Sequence, residues 1–222
     1  MPTEQLTVDE STDADQPEPA PSRRRRWFVA ALVGVMALAV GFGAGVFTAR
    51  PGWPGDDSAE AGFARDMSRH HAQAVSMATT EYRATADPEL RQIAVDIALT
   101  QQAQIGTMST WLETWGLGPT GRRSAMAWMP EGQAALSPDG LMPGMATDQQ
   151  LAELRAATGK AKDLLFCQLM IQHHLGGIHM VDGILQKSEN PQVTELAQQM
   201  KDAQQSEINA LQAKLTKLRG GS

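Results

Sequence analysis

Two short stretches of this chain carry histidine and methionine at the same spacing. Both follow the pattern Met-x-x-His-His-x5-Met, the first from residue 67 to 77 and the second from 170 to 180. The residues concerned are His70, His71, His173, His174, Met67, Met77, Met170 and Met180. Imidazole nitrogen suits several transition metals, whereas thioether sulfur narrows the choice to soft ions, Cu(I) foremost and Ag(I) as its mimic. The pattern therefore indicates a soft-metal site.

On a helix, each copy of the pattern would lie on one face. At about 100° per residue, His70 and His71 fall within about 60° of Met67, and Met77 within about 80°. Ala74 and its counterpart Gly177 are small and leave room on that face. The competing interpretation is a packed core, because Met at helical spacing usually packs and a lone buried His is usually hydrogen-bonded. Four imidazoles without partners are costly to bury, which favours metal ligands for the set.

The pattern belongs to a larger internal repeat. A shift of 103 residues superimposes 60–112 on 163–215 without a gap. Each copy predicts two helices, separated by Asp87-Pro88 in one and by Asn190-Pro191 in the other, where the polar residue caps and proline opens the second helix. Neither hairpin can bury its apolar stripe alone, so we predict an all-α, ferritin-like four-helix bundle with a long crossover. The expected bounds are a linker at 50–59 and a bundle at 60–219, comprising hairpin 1 (60–116), a connector (117–159) and hairpin 2 (160–219).

The connector between the hairpins is rich in Gly and Pro. Thr147 and Gln150 form a capping box that predicts a short helix to about Thr158, closed by Gly159. Two Met-x-x-Met pairs also lie here, Met126 with Met129 and Met142 with Met145. Their thioethers could capture Cu(I), but we favour packing of a loop over the end of the bundle.

The N-terminal region predicts a membrane anchor. Residues 1–22 contain six acids and no base, and we expect a disordered cytoplasmic tail. Four arginines at 23–26 precede an uncharged apolar run at 27–49, which as a helix would span about 34 Å, enough for a bilayer. The arginines should remain in the cytoplasm, so that 23–49 anchors a single-pass membrane protein whose C-terminal domain is extracytoplasmic. A cleaved secretion signal is the alternative.

The charge balance argues against a nucleic-acid-binding protein, and the cysteine count excludes a disulfide framework within the chain. Residues 50–222 hold fifteen of the 19 basic and nineteen of the 25 acidic residues, which is not basic enough to bind nucleic acid. Cys167 is the only cysteine, so no intrachain disulfide is available. We expect Cys167 to be a buried small hydrophobe, with a thiolate ligand as the alternative, and His179 to lie on the surface.

The doubled motif resembles that of the bacterial "domain of unknown function 305" family. The matching residues are Phe63, Met67, His70, His71, Ala74, Val75, Met77 and Ala78, and in the second copy Phe166, Met170, Ile171, His173, His174, Ile178 and Met180. With the connector, the resemblance covers about 60–218. It implies a ferritin-like bundle outside the cytoplasm, copper binding in some members, and these His and Met residues as ligands. Family members often carry a polar residue after each His pair, where this chain has Ala72 and Leu175, which predicts fewer hydrogen-bond partners for the imidazoles.

Three functions remain open from the sequence. We favour a membrane-anchored binding protein that sequesters or transfers Cu(I) or Ag(I), whose protein partner would be a metal-delivery protein or a second copy of the chain. A metal-free helical interaction module with a His/Met core is the alternative. A ferritin-like oxidoreductase is disfavoured because di-iron bundles need Glu-x-x-His motifs and this chain has none, so we expect a protein that is not an enzyme.

Overall fold

The computed structural model describes residues 34–38 and 52–220 of the chain. The chain divides into two compact units, Met1–Gly52 and Trp53–Ser222. In the first unit, residues 34–38 are helical. The predicted tail at 1–22 and the rest of the predicted anchor at 23–49 lie outside the described residues. Within the described part, no helix is both long and apolar enough to cross a membrane.

The second unit is built from helices, as the repeat predicts. They are α1 (Ala59–Ala84), α2 (Pro88–Thr114), α3 (Asp148–Ala156), α4 (Gly159–Leu185) and α5 (Pro191–Gly220). No strand occurs among the residues that the structure describes. The prediction of an all-α protein is therefore confirmed.

The turns inside both hairpins have the chemistry that the sequence predicts. Asp87 accepts hydrogen bonds from the backbone amides of Glu89 and Leu90, both at 3.0 Å, and so caps α2. In the second hairpin Asn190 accepts from the amide of Gln192 at 3.0 Å. Each bond satisfies an amide that a helix N-terminus leaves without an intrahelical partner.

The connector holds α3 and packs on the bundle. The predicted capping box is present, since Thr147 accepts from the amide of Gln150 and the Gln150 side chain accepts from the amide of Thr147. The predicted end of this helix is wrong. α3 ends at Ala156, and Gly159, with φ of +55°, is the first residue of α4 instead of the residue that closes α3. A glycine after a periodic stretch favours a helix end, but here two residues suffice for the turn.

The two hairpins meet mainly through α1 and α4, while α2 and α5 each pack on the helix before them. Two apolar clusters fill the interior. The Phe63 cluster includes Phe63 and Met67 of α1 with Met180 and Ile184 of α4. The Phe166 cluster includes Met77 and Ala78 of α1 with Phe166 and Met170 of α4. Phe63 and Phe166 are equivalent in the repeat, so each cluster combines opposite ends of the two copies, as expected for two halves related by a pseudo-two-fold axis.

Candidate metal centre

The four motif histidines lie where α1 and α4 meet. His70, His71 and His174 have no exposed surface and His173 is 1% exposed. The rings of His70 and His173 pack against each other, with centroids 3.8 Å apart and planes tilted by 34°. The rings of His173 and His174 have centroids 6.2 Å apart. The two halves therefore contribute their histidines to one buried centre.

Two of these imidazoles are held by equivalent positions on the outer helices. His71 Nε2 lies 2.8 Å from Gln104 Oε1 of α2. His174 Nε2 lies 2.6 Å from Glu207 Oε2 of α5. Gln104 and Glu207 are themselves related by the 103-residue shift. Each oxygen accepts from the ring N–H, which fixes the orientation of the ring.

The connector supplies the partner of a third imidazole. His70 Nε2 donates to the backbone carbonyl of Pro143 at 3.0 Å. Gln73 holds the same segment by two bonds to Ala146, one donated to its carbonyl at 2.9 Å and one accepted from its amide at 2.7 Å. The approach is close, because a Cβ added to Gly176 would lie 1.9 Å from the Pro143 oxygen. Residues 142–146 thus form a strap across the histidine centre.

One nitrogen of every motif histidine is buried without a hydrogen-bond partner. These atoms are Nδ1 of His70, His71 and His174, and Nε2 of His173. Because Nε2 of the first three donates to an oxygen, the neutral ring carries its lone pair on Nδ1. A metal-bound histidine has the same arrangement, with one nitrogen on the ion and the other donating to a carbonyl or carboxylate. These residues therefore fit a metal ion.

Burial keeps the rings of His70, His71 and His173 neutral. It lowers the pKa of His70 to about 4, although the bond to Pro143 acts in the opposite direction. Burial, reinforced by the nearby His70, lowers the pKa of His71 to about 3. Burial lowers the pKa of His173 well below its ordinary value, and the nearness of the three other histidines lowers it further. At neutral pH, protons therefore compete little with a metal ion for these three lone pairs.

The motif methionines are all buried but divide into two pairs. Met67 and Met180 belong to the Phe63 cluster, and Met77 and Met170 belong to the Phe166 cluster. Along α1 and α4 these pairs flank the histidines on either side. Within the described residues, no three His, Cys, Asp or Glu side chains are arranged to hold a metal ion. A complete ligand set would therefore need thioether sulfur or a shift of the rings.

The remaining sequence candidates are placed as follows. Cys167 is fully buried in the Phe166 cluster, and burial raises the pKa of its thiol to about 12, so the prediction of a small hydrophobe is confirmed. His179 is exposed, as predicted. Met126 and Met142 are buried in the Phe63 cluster, and Met129 and Met145 pack against it, which confirms packing for the connector methionines.

The sequence did not identify the hydrogen-bond partners on α2 and α5. Ala72 and Leu175, which follow the His pairs, are exposed, so side chains there would not face the imidazoles. The partners come from other helices instead. A usable signal was present, because the buried stripe of α2 runs Leu90, Ala94, Ile97, Gln101, Gln104, Met108, Trp111 and Leu112. Two glutamines within an apolar stripe indicate a buried polar site at that level.

Gln101 and its repeat equivalent Gln204 extend this polar site. Both are nearly fully buried, and each has a side-chain atom without a partner, Oε1 in Gln101 and Nε2 in Gln204. A Cβ on Gly177 would lie 2.3 Å from Gln204 Oε1. The room that Gly177 leaves is therefore filled by Gln204.

A second buried polar group lies away from the histidines, near the C-terminal end of α1. Glu81 has no exposed surface, and Asp163 is 7% exposed. Burial, followed by the nearby Asp163, raises the pKa of Glu81 to about 8. Glu81 is thus mostly protonated at neutral pH.

Fold and centre together define an all-α protein made from a duplicated helical hairpin, with four imidazoles buried between the halves. The family model described as "Domain of unknown function (DUF305)" matches residues 60–215. The chain belongs to the DUF305 family. Among curated proteins, none matches it.

Solved structures share this fold. A DUF305 protein from Streptomyces coelicolor, named as secreted, is 39% identical, with 74% of this chain and 96% of that chain covered and a TM-score of 0.67. A DUF305 fragment from Deinococcus radiodurans is 30% identical, with 72% and 96% covered and a TM-score of 0.60. CopM in a Cu(II)-bound form is 26% identical, with 72% and 96% covered and a TM-score of 0.56. CopM in a Cu(I)-bound form is 23% identical, with 73% and 99% covered and a TM-score of 0.56, and shows the fold alone.

Proposed function

We propose that this protein binds Cu(I), with Ag(I) as an alternative soft ion, in order to sequester or transfer it outside the cytoplasm. The observation that carries the proposal is the buried centre of four imidazoles, each with one nitrogen free of any hydrogen bond. Unpartnered polar atoms are costly to bury, and an ion would satisfy them. The proposed ligands are drawn from His70, His71, His173, His174, Met67, Met77, Met170 and Met180.

The ligand types favour a soft monovalent ion. Thioether sulfur has little affinity for hard cations, and the methionine pairs flank the imidazoles on α1 and α4. Imidazole and thioether ligands carry no charge of their own, so a monovalent ion brings less charge into the interior than a divalent one. CopM in a Cu(II)-bound form is 26% identical and shares the fold. This structure supports copper as the first ion to test.

We also propose that the domain acts at the outer face of the membrane, anchored by residues 23–49. The support comes from the arginines at 23–26, the uncharged run at 27–49 and the secreted relative. Metal would then be taken up outside the cell and either retained or passed to a partner protein. A fractionation of cells, with protease added from outside, tests this placement.

The alternative function is a metal-free interaction module. One observation favours it, since His70 and His173 stack directly and the described residues hold no three-ligand set of His, Cys, Asp or Glu. In that case the histidines form a polar seam inside the bundle, and the protein acts through its surface.

An anaerobic Cu(I) titration of the full-length chain against a colorimetric chelator separates the two functions. The test variant is His71→Gln with His174→Gln, and the matched control is His179→Gln, because His179 is exposed on the same helix as His174. We expect tight uptake by wild type and control and a loss of at least about tenfold in the double variant. Equal uptake by all three proteins would move the site away from the histidines, and absence of uptake by wild type would favour the metal-free module.

A further inference from the structure

The two halves of the histidine centre differ in one charge. His71 is hydrogen-bonded to the neutral amide of Gln104 at 2.8 Å, and His174 to the carboxylate of Glu207 at 2.6 Å. In other respects the two imidazoles match, since both are fully buried and both leave Nδ1 without a partner. The group behind each ring therefore distinguishes His71 from His174.

A carboxylate affects a metal-binding imidazole in two ways that an amide does not. By accepting the Nε2 hydrogen bond it raises electron density on the ring, which makes Nδ1 a stronger donor to a metal. It also brings a negative charge close to the ion, where the low dielectric of the interior strengthens attraction. Replacing such a partner typically costs about 10–100-fold in metal affinity.

The surroundings of the two partners strengthen the difference. The side chain of Glu207 is 18% exposed, so its outer part contacts water and its charge is less costly to keep than a fully buried one. Gln104 is 9% exposed. The α5 side of the centre therefore carries a charged partner whose outer part is hydrated.

We propose that Glu207 makes the two halves of the centre unequal, so that the half containing His174 takes up the first soft metal ion and the half containing His71 follows. Glu207 is a positioning residue, which acts on the ion through His174. The inference rests on the proposed function and adds the order of loading to it.

The test uses the full-length chain labelled with ¹⁵N at histidine, with Ag(I) added below stoichiometry. Ag(I) is diamagnetic, so the ring nitrogen signals of all five histidines can be followed, and the exposed His179 reports non-specific binding. In wild type we expect the Nδ1 signal of His174 to change first. In Glu207→Gln this preference should disappear, and the Ag(I) affinity should fall about 10–100-fold.

The exchanged variant Gln104→Glu with Glu207→Gln is the matched control. It keeps a hydrogen-bond acceptor behind each ring and moves the charge to the other half. We expect His71 to respond first and the affinity to return toward that of wild type. A merely structural role of Glu207 would not reverse the order. If Glu207→Gln fails to fold, Gln104→Glu alone decides, and it should bring His71 to the same loading as His174.

The outcomes separate the inference from the function on which it rests. Simultaneous loading of His71 and His174 in wild type, or an order that the exchange leaves unchanged, would overturn the role of Glu207 while metal binding stands. Absence of any change at the four buried histidines with excess Ag(I) would overturn the proposed function itself.

Discussion

The buried histidines should make the metal-free protein sensitive to mild acid. His71 has a pKa of about 3 in the folded protein, against an ordinary value of 6.5. Below pH 6.5 the unfolded chain therefore takes up a proton at this residue that the folded protein does not. Stability from neutral His71 is fully present above pH 6.5 and is lost as the pH falls toward 3.

The size of this effect follows from the two pKa values. Between pH 6.5 and pH 5, a histidine with these values lowers the free energy of unfolding by about 1.6 kcal/mol. His70, with a folded pKa of about 4, contributes a similar loss. Glu81 acts in the opposite direction over the same range, because its folded pKa is raised to about 8. A comparison of variants at one residue removes the contribution of Glu81, which is common to both proteins.

The assay is chemical denaturation of metal-free wild type, His71→Gln and His179→Gln at pH 6.5 and pH 5. We expect the loss of stability on acidification to be smaller in His71→Gln than in wild type by about 1.6 kcal/mol. The control at exposed His179 should behave as wild type. The absolute stability of His71→Gln is expected to be lower at both pH values, because Gln104 loses its partner. An equal acid-induced loss in wild type and His71→Gln would refute the account of buried, neutral imidazoles.

Three further predictions concern single side chains. Met67→Leu should weaken Ag(I) binding by roughly tenfold at a cost of less than about 1.5 kcal/mol in stability, and the control Met108→Leu, in the same buried cluster, should leave binding unchanged. Equal affinities of the two variants in a competition titration would remove Met67 from the ligands. Between pH 6 and pH 8 the free energy of unfolding of wild type should fall by about 2 kcal/mol, because stability from protonated Glu81 is lost as the pH rises through about 8, and Glu81→Gln should abolish this fall. The same decline in both proteins, measured by denaturation, would contradict this. Cys167→Ala should leave the Cu(I) affinity within about twofold of wild type, because the Cys167 thiol has a pKa of about 12 and stays protonated. A tenfold loss of affinity in the chelator assay would place Cys167 among the ligands.

The helices and the meeting of the two halves could be predicted because their signals are local or repeated. Asp87-Pro88 and Asn190-Pro191 define the hairpin turns through capping chemistry alone. A repeat without gaps implies equivalent faces, and two such faces bury their apolar residues by packing together. One local signal was misleading. A glycine after a periodic stretch is typical of a helix end, but Gly159 begins α4, with a φ of +55°.

The partners of the imidazoles could not be predicted in the same way. The contact of His71 with Gln104, and that of His174 with Glu207, depends on the axial register of neighbouring helices, which local patterns do not fix. The bond from His70 to Pro143 depends on the path of a loop. The sequence does show Gln104 within an apolar stripe, and a polar residue at such a position indicates a partner without identifying it.

The most direct test of the central claim is anomalous diffraction at the copper absorption edge from crystals of the protein loaded anaerobically with Cu(I). The account predicts a copper peak within bonding distance of Nδ1 of His174 or His71, with methionine sulfur from α1 or α4 completing the ligand set. Copper bound only at the connector methionines, with the rings of His70 and His173 still 3.8 Å apart, would contradict it.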